Sequence, residues 1–312
     1  MFSEALAAHL LSHHRPLSFA VPNAAVHSTS DADISDTEMR LRRVASTRQK
    51  NGDQKSLHRP TMSSGNRIIL HGVPKQGPNV PSSSGFCQKL ESYLRANSIP
   101  YEDAAAYPFQ APKGKVPFVT LADGEKMPDS HFIIRHLKAT GLSKDLDAGL
   151  TPAQKADSRA WQAWLEEIIY PSMVYERWVD DRGYAETAKD FQGSPWPLSS
   201  LLPWYFRRRI TNGLYYQGVG RHSLDEVHTL EKEFVDALDA KFADGREYFH
   251  QTEAPTEIDV VLYAFLTQGL SQKGNAYFTG LVMEKKALKE FARKMLAKLH
   301  PEYEELREML EN

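Results

Sequence analysis

Apolar positions change their pattern along the chain near residue 65. Over residues 1–64, Ser, Thr, His, Asp and Arg dominate and the apolar residues show no sustained period, which indicates a disordered segment. Short apolar runs then alternate with amphipathic stretches, and from about residue 150 a helical period continues nearly to the end. The pattern therefore predicts a small α/β domain over residues 65–142 and an all-helical domain over residues 150–312.

The α/β part opens with the run RIILHG, which is continuous and β-branched as in a buried parallel strand. A loop rich in Pro and Ser follows, and then GFCQKLESYLRANSI, where Phe86, Leu90 and Leu94 recur at helical spacing. IPYEDAAAY predicts a second strand, KVPFVTLADGEKMP a hairpin, and DSHFIIRHLKATG a helix that starts at Asp-Ser and stops at Gly. This order of elements is that of a thioredoxin-like domain.

The helical part carries three N-terminal capping signals. Thr151, Ser223 and Thr256 each precede an apolar stripe and are followed three residues later by Gln, Glu or Asp. The stretch PTEIDVVLYAFL is so apolar that it is predicted to form the core of this part. The first of the three helices is predicted to bury one apolar face, formed by Trp161, Trp164, Leu165 and Ile168.

No stretch approaches the run of about 20 apolar residues that a membrane-spanning helix needs. PWPLSSLLPWYF, residues 195–206, comes nearest, but its three prolines favour a buried or lid-like connection between helices. The opening MFSEALAAHLLSHHRPLSF has one Arg and no Lys, whereas transit peptides are usually Arg-rich, so targeting to an organelle is the less favoured interpretation. Met62 is a candidate for the true start.

Charge and cysteine content narrow the classes of function. The formal net charge is only -2, which gives no indication of nucleic-acid binding. Cys87 is the only cysteine, so the chain cannot form an internal disulfide, and no His or Cys cluster has the spacing of metal ligands. We therefore expect no metal, a reducing compartment and a cytoplasmic location, with association with mitochondria as the alternative.

Several motifs resemble a known family. SGFCQKL, KVPFV, PDS and PTEID resemble, in that order, the marks of the glutathione transferase fold. More narrowly, APKGKVPFV, DSHFIIRHL, YYQGVGRHS and LHPEYEEL are similar to the failed axon connections branch, which shares a metaxin-like helical domain. The resemblance covers the chain from about Arg67 onward. It implies a thioredoxin-like α/β N-terminal domain followed by an all-α C-terminal domain.

The resemblance also implies a glutathione site. It implies a cis bond between Val116 and Pro117, whose turn would leave the Val116 backbone free to pair with an extended peptide, although a plain structural turn is the equal alternative. In this family the acidic-Ser pair, here Asp129 and Ser130, receives the γ-glutamyl end of glutathione. Simple helix capping competes with that role and can coexist with it.

Two lysines flank this turn. Lys113 and Lys115 could pair with the glycine carboxylate of glutathione, and solvated loop lysines are the plain alternative.

The candidate catalytic group is a serine or the cysteine. Ser84 is the first choice, because it occupies the first position of an S-x-x-C frame, where some transferases have their catalytic serine. Cys87 is the alternative nucleophile, but a free cysteine beside apolar neighbours is more often buried. Family members often have Pro where this chain has Gly85, a departure expected to loosen the turn and to leave Ser82 and Ser83 as substitutes.

Together these features predict a glutathione transferase-like protein that binds glutathione in a cleft between its domains. Its chemistry would be conjugation of glutathione to a small electrophile or thiol exchange, and a homodimer is compatible with the fold. The alternative is a non-enzymatic adaptor that uses the same fold for protein assembly, in the manner of metaxins.

Overall fold

The computed structural model describes residues 67–312. All of them lie in one compact unit, Thr61–Asn312. The prediction of a disordered segment over residues 1–64 falls outside the described residues, as does the question of Met62. The boundary predicted between residues 142 and 150 stays a prediction, because the α/β and helical parts pack into this single unit.

A four-stranded mixed sheet forms the centre of the α/β part, with the strand order β2-β1-β3-β4. Strand β1 pairs with β2 in parallel, whereas β3 pairs with both β1 and β4 in antiparallel fashion. Leu70 lies beside Val119 of β3 and is buried, as the apolar run predicted. The bounds are β1 Ile68–Gly72, β2 Tyr101–Ala105, β3 Phe118–Thr120 and β4 Lys126–Pro128.

Two helices flank this sheet. Helix α1, Gly85–Ala96, links β1 to β2 and buries Leu90 and Leu94 completely. A short 3₁₀ helix follows β2, and helix α2, Ser130–Ala139, follows the hairpin. The order of strands and helices predicted from the sequence is therefore confirmed as thioredoxin-like.

The rest of the described chain is helical. The capping boxes of α3, α7 and α8 are present: the side chain of the third helical residue accepts a hydrogen bond from the amide of Thr151, Ser223 or Thr256 at 2.9, 2.7 and 2.8 Å. Helix α8 is buried over most of its length, as predicted. The bounds are α3 Pro152–Trp164, π-helical Leu165–Ile169, α4 Tyr170–Trp178, α5 Asp181–Thr187, 3₁₀ Ala188–Phe191, α6 Leu198–Gln217, 3₁₀ Val219–Arg221, α7 Leu224–Phe242, α8 Glu257–Ser271, α9 Ala276–Met283, α10 Lys286–Leu299 and α11 Glu304–Glu311.

The π-helical segment corrects one predicted helix face. The sequence pattern placed Ile168 on the buried face, but Ile168 is exposed and Ile169 is fully buried. A π-helical turn holds more residues than an α-helical turn, so it shifts the side chains that follow by about one position around the axis. The amide of Tyr170 accordingly bonds to the carbonyl of Leu165, five residues earlier.

The proline-rich stretch over residues 195–206 differs from the buried alternative of its interpretation as a buried or lid-like connection. Its second half is the start of α6, with Pro203 inside the helix, and Trp196, Leu201 and Trp204 are exposed. Pro195 and Pro197 precede the first helical residue, where a missing amide hydrogen is tolerated. Among the helices described, none is both long and apolar enough to cross a membrane.

Candidate functional site

Three serines fold into a compact turn ahead of α1. Ser84 is the N-cap, and its Oγ accepts a hydrogen bond from the amide of Cys87 at 3.4 Å. The Ser82 hydroxyl accepts from the amide of Ser84 at 3.3 Å, and the amide of Ser82 donates to Gln88 Oε1 at 2.8 Å. The turn therefore holds Ser84 at the first turn of α1, where backbone amides favour negative charge.

Arg177 fixes this turn from the helical part. Its guanidinium is buried and donates to the Ser83 carbonyl at 2.9 Å, and Gln268 donates to the same oxygen at 3.4 Å. Arg177 lies in α4 and Gln268 in α8. The position of the serines thus depends on two helices that are distant in sequence, which no local motif around Ser83 revealed.

Cys87 lies in the core behind the serine turn. Its side chain is buried, and a Cβ built on Gly72 would come within 3.2 Å of its sulfur. Burial raises the pKa of the Cys87 thiol, and hydrogen bonds from Ser84 and the Val73 backbone offset only part of that effect. The geometry therefore favours a protonated packing residue, as expected for a cysteine among apolar neighbours, although the choice between Ser84 and Cys87 stays a prediction.

Gly85 does not loosen the turn as the sequence suggested. A Cβ at this position would lie 2.5 Å from the ring of Phe265 and 3.1 Å from that of Tyr170. Phe86 also meets both rings edge-on, with centroids 5.3 and 5.2 Å away. Glycine is present because the start of α1 packs directly against Phe265 of α8, so close contact between the two parts fixes the turn.

The second half of the predicted site is the turn before β3 and the start of α2. The Val116-Pro117 bond is cis, and within residues 67–312 neither backbone group of Val116 has a hydrogen-bond partner. The amide of Asp129 donates to the Pro117 carbonyl at 3.4 Å, which brings the start of α2 to this turn. Asp129 has a φ of 78°, a strained conformation that recurs at functional sites.

Side chains at this turn differ in their partners. The Asp129 carboxylate caps α2 by accepting from the amide of His131 at 3.1 Å, and Lys113 Nζ lies 3.9 Å from the same carboxylate. Ser130 is buried, yet its hydroxyl bonds to no other described side chain or backbone group. Lys115 is exposed and has no ion-pair partner in the described part of the chain. The structure thus brings Lys113, but not Lys115, to the start of α2.

A buried ion pair joins the two parts beside this region, and the sequence analysis missed it. Lys89 is only 1% exposed and donates to Glu166 at 2.7 Å, while Gln162 donates to the same oxygen at 2.9 Å. The ammonium also lies 5.4 Å from the centre of the Phe86 ring. One signal was available: Lys89 follows Phe86 by three residues and therefore shares its helix face.

His131 shows that the start of α2 faces the helical part. Burial lowers the pKa of His131, and the positive charges of Arg159 and Lys89 lower it further. Arg159 belongs to α3. The imidazole is therefore held neutral at neutral pH, within reach of the charge of Arg159 from α3.

Two cavities lie beside the start of α1, on the side of the β1–α1 loop. The larger, about 530 Å³, is lined by Ser83, Asp190 and Lys273 among others, and the smaller, about 310 Å³, by Ser82 and Cys87 among others. Neither is lined by residues of the turn before β3 or of α2. Across residues 67–312 no cluster of three His, Cys, Asp or Glu side chains could hold a metal ion.

Comparison with known proteins identifies the family. The family model of the glutathione S-transferase N-terminal domain matches residues 85–183. The isoprene-epoxide–glutathione S-transferase of Rhodococcus sp. is 32% identical over 233 residues, which cover 72% of this chain and 95% of that protein. The chain therefore belongs to the glutathione S-transferase family.

Other relatives define its branch. Failed axon connections of Drosophila melanogaster is 32% identical over 203 residues, covering 61% of this chain and 47% of that protein. Human metaxin-1 is 29% identical over 207 residues, covering 63% of this chain and 43% of that protein. The chain spans about half the length of these two relatives or less. Within the superfamily it thus belongs with the metaxin-like branch.

Solved structures confirm the fold. Glutathione transferase GSTFuA3 from Phanerochaete chrysosporium has a TM-score of 0.53 at 14% identity, covering 74% of this chain and 97% of that one. The beta-etherase LigF from Sphingobium sp. has a TM-score of 0.51 at 18% identity, covering 77% and 98%. The thioredoxin-like domain followed by a helical domain is therefore the transferase arrangement.

Proposed function

We propose that the protein binds glutathione along the turn before β3 and the start of α2, with the sulfur directed at Ser84, and conjugates it to a small electrophile or exchanges thiols with it. One observation carries the proposal: the amide of Asp129 bonds to the Pro117 carbonyl, so the start of α2, with its unpartnered Ser130 hydroxyl, adjoins the turn that leaves the Val116 backbone unpaired. An extended peptide bound at this turn would pair with these groups in the manner of an added strand.

Each end of glutathione has a candidate partner. The γ-glutamyl carboxylate would accept hydrogen bonds from the Ser130 hydroxyl and from free amides of the first turn of α2. Its amine would lie near Asp129, where it would compete with Lys113. Lys115 is exposed and free to approach the glycine carboxylate at the other end.

The Ser84 hydroxyl is able to donate a hydrogen bond to the thiol of a bound glutathione. Its oxygen accepts from the amide of Cys87, and a hydroxyl that accepts one hydrogen bond can still donate its own proton. Donation to the glutathione sulfur would favour the thiolate, which is the attacking species. Cys87 would support this arrangement by packing behind the turn, and Ser82 by accepting from the amide of Ser84.

A non-enzymatic adaptor is the second candidate. The relatives of the metaxin-like branch match at nearly the same identity as the transferase from Rhodococcus sp.. Ser84 is also largely covered, because Gly85 packs against Phe265 just behind it. As an adaptor, the protein would use the packed α/β and helical parts as a scaffold for protein assembly. The start of α2 would then be only a capped helix terminus.

Titration calorimetry with glutathione tests the proposal. We expect the native protein to bind, and Ser130→Ala to bind about tenfold or more weakly, because a hydrogen bond to a charged group contributes about 1.5 to 3 kcal/mol. Ser200→Ala, an exposed serine of α6, is the matched control and should bind as the native protein does. Absence of binding by the native, folded protein would favour the adaptor.

A second measurement separates binding from chemistry. We expect Ser84→Ala to lower the rate of glutathione conjugation at neutral pH and to leave the affinity for glutathione nearly unchanged, because the hydroxyl acts on the thiolate. Equal rates in the native protein and in Ser84→Ala would remove Ser84 from the mechanism.

A further inference from the structure

The outer face of α6 carries large apolar side chains that are more than half exposed, although the Arg221 guanidinium lies over one of them, the ring of Tyr215. Leu201, Trp204 and Tyr215 are 52%, 58% and 52% exposed, and Arg208 lies between them on the same face. Their spacing of three, four and seven residues places all four on one side of the helix. Trp196, just before the helix, is 85% exposed. We call these five residues the α6 outer face.

The same region is depleted in negative charge. Residues 191–224 contain no Asp or Glu, although the whole chain has 40 acidic residues against 38 basic ones. Four arginines occur in this stretch. Arg207 is neutralised by Asp181 at 2.7 Å, whereas Arg208 has no ion-pair partner among the described residues and Arg209 contacts only the Tyr205 hydroxyl. The outer face is therefore apolar and positively charged at once.

The opposite side fixes α6 to the protein. Leu202, Pro203 and Leu214 are buried, and Leu214 packs in a cluster with Tyr175 of α4 and Val227 of α7. Arg207 further ties the helix to backbone carbonyls at the end of α4, at 3.0 and 2.8 Å. The buried side of α6 thus fixes the helix to the protein, and the outer face keeps more than half of each large apolar side chain exposed.

We propose that the α6 outer face binds the surface of an anionic lipid membrane, with the helix lying parallel to that surface. Trp, Tyr and Leu insert at the boundary between headgroups and acyl chains, and Arg pairs with the phosphates. From Leu201 to Tyr215 the face extends about 21 Å along α6, at 1.5 Å per residue. A linear array of side chains matches the planar surface of a membrane better than it matches a pocket on a partner protein.

Two other occupants fit the face less well. A second copy related by a two-fold axis would bring identical faces together and place unpaired arginines of like charge near each other. A protein partner is usually recognised by a central cluster of anchors inside a polar rim. Here Trp204 and Tyr215 lie about 16 Å apart along α6 with Arg208 between them, so no such centre exists.

Co-sedimentation of the full chain with vesicles tests this proposal. We expect binding to vesicles of phosphatidylcholine with phosphatidylserine, little binding to phosphatidylcholine alone, and weakening by added salt. Arg208→Glu/Arg209→Glu should weaken vesicle binding by at least about tenfold, because each arginine near an anionic surface contributes about 1 kcal/mol and the new glutamates are repelled by it. The matched control, Lys155→Glu/Lys286→Glu, makes the same charge change at exposed sites on α3 and α10 and should bind as the native protein does.

A second variant tests the apolar contribution. Trp204→Ser should reduce vesicle binding, whereas Met309→Ser, at an exposed apolar position of α11, should not. Equal loss in the variants and their controls, or no binding to anionic vesicles, would overturn the proposal. The proposal would also be overturned if the protein bound soluble polyglutamate as strongly as vesicles and Trp204→Ser did not weaken that binding. Such a result would indicate that the face binds an acidic protein. None of these outcomes depends on glutathione.

Discussion

Replacing Gly85 by alanine tests the contact between the two parts most directly. In an open helical position this change should stabilise the protein by about 0.4 to 1 kcal/mol, because it restricts the unfolded chain. At position 85 the new Cβ would lie 2.5 Å from two ring carbons of Phe265. Phe265 is fully buried and meets Phe86 and Tyr170 edge-on, so its ring has no free space to enter. Gly85→Ala should therefore destabilise the protein, because the steric clash outweighs the gain from restricting the unfolded chain.

The magnitude follows from overpacking a dense core. Insertion of an extra carbon into such a core costs about 1 to 3 kcal/mol. For a unit of this size, each kcal/mol lowers the melting temperature by about 2 to 4 °C, so Gly85→Ala should lower it by about 2 to 12 °C. Gly280→Ala in α9 is the control, because its Cβ meets nothing within 4 Å and should raise the melting temperature slightly.

Thermal unfolding followed by circular dichroism measures both variants. A third variant, Phe265→Leu/Gly85→Ala, should be less destabilised than the sum of the two single changes, because the smaller side chain leaves room for the new carbon. If Gly85→Ala stabilises the protein as much as Gly280→Ala does, the close contact does not exist and the reasoning fails.

Three further predictions concern buried polar groups. Burial raises the pKa of Glu231, and the neighbouring Glu176 raises it further, so the folded state keeps a proton that the unfolded state releases. This contribution to the free energy of unfolding is present below the ordinary carboxyl pKa of about 4.3 and is lost as pH rises through the raised pKa of the folded state. Glu231→Gln should flatten this loss of stability with rising pH, as measured by urea titrations at a series of pH values above about 4.3. An unchanged slope would contradict the prediction. Lys89→Met should destabilise the protein by about 3 to 5 kcal/mol, because it leaves the buried Glu166 without its cation. Changing both Lys89 and Glu166 to apolar residues should restore most of that stability in the same urea titration. A Lys89→Met variant as stable as the native protein would refute the pairing. Cys87 should react with iodoacetamide slowly in the native state and rapidly in urea, as measured by mass spectrometry, because burial in the folded state covers most of the thiol and raises its pKa. Fast labelling of the native protein would show a reactive cysteine instead.

The order of elements could be predicted because local patterns carry it. The run that became β1, the helix repeat of Phe86 and Leu90, and the reciprocal caps at Ser223 and Thr256 all depend on neighbours close in sequence. The same holds for Asp129, whose capping of α2 needs only the following residues. Such features are decided within one or two turns of chain.

The rest depends on contacts that the sequence does not display. Ile168 was placed on the wrong side because a π-helical turn is set by packing and has no local composition signal. Lys89 was overlooked because its partner, Glu166, lies 77 positions away. Gly85 was interpreted through the turn alone, although Phe265, the residue that requires it, lies in a helix of the other part.

The hydrogen bond from Arg177 to the Ser83 carbonyl makes the serine turn sensitive to substitutions in the helical part of the chain. Because α4 supplies the donor, the serine turn can be displaced by substitutions that never touch the α/β part. The proposed thiol chemistry could then be altered or abolished while every serine, the Val116-Pro117 turn and the cap at Asp129 stay intact. For a chain that is similar both to a transferase and to metaxins, the donor opposite Ser83 therefore bears on the proposed activity as directly as the serines do.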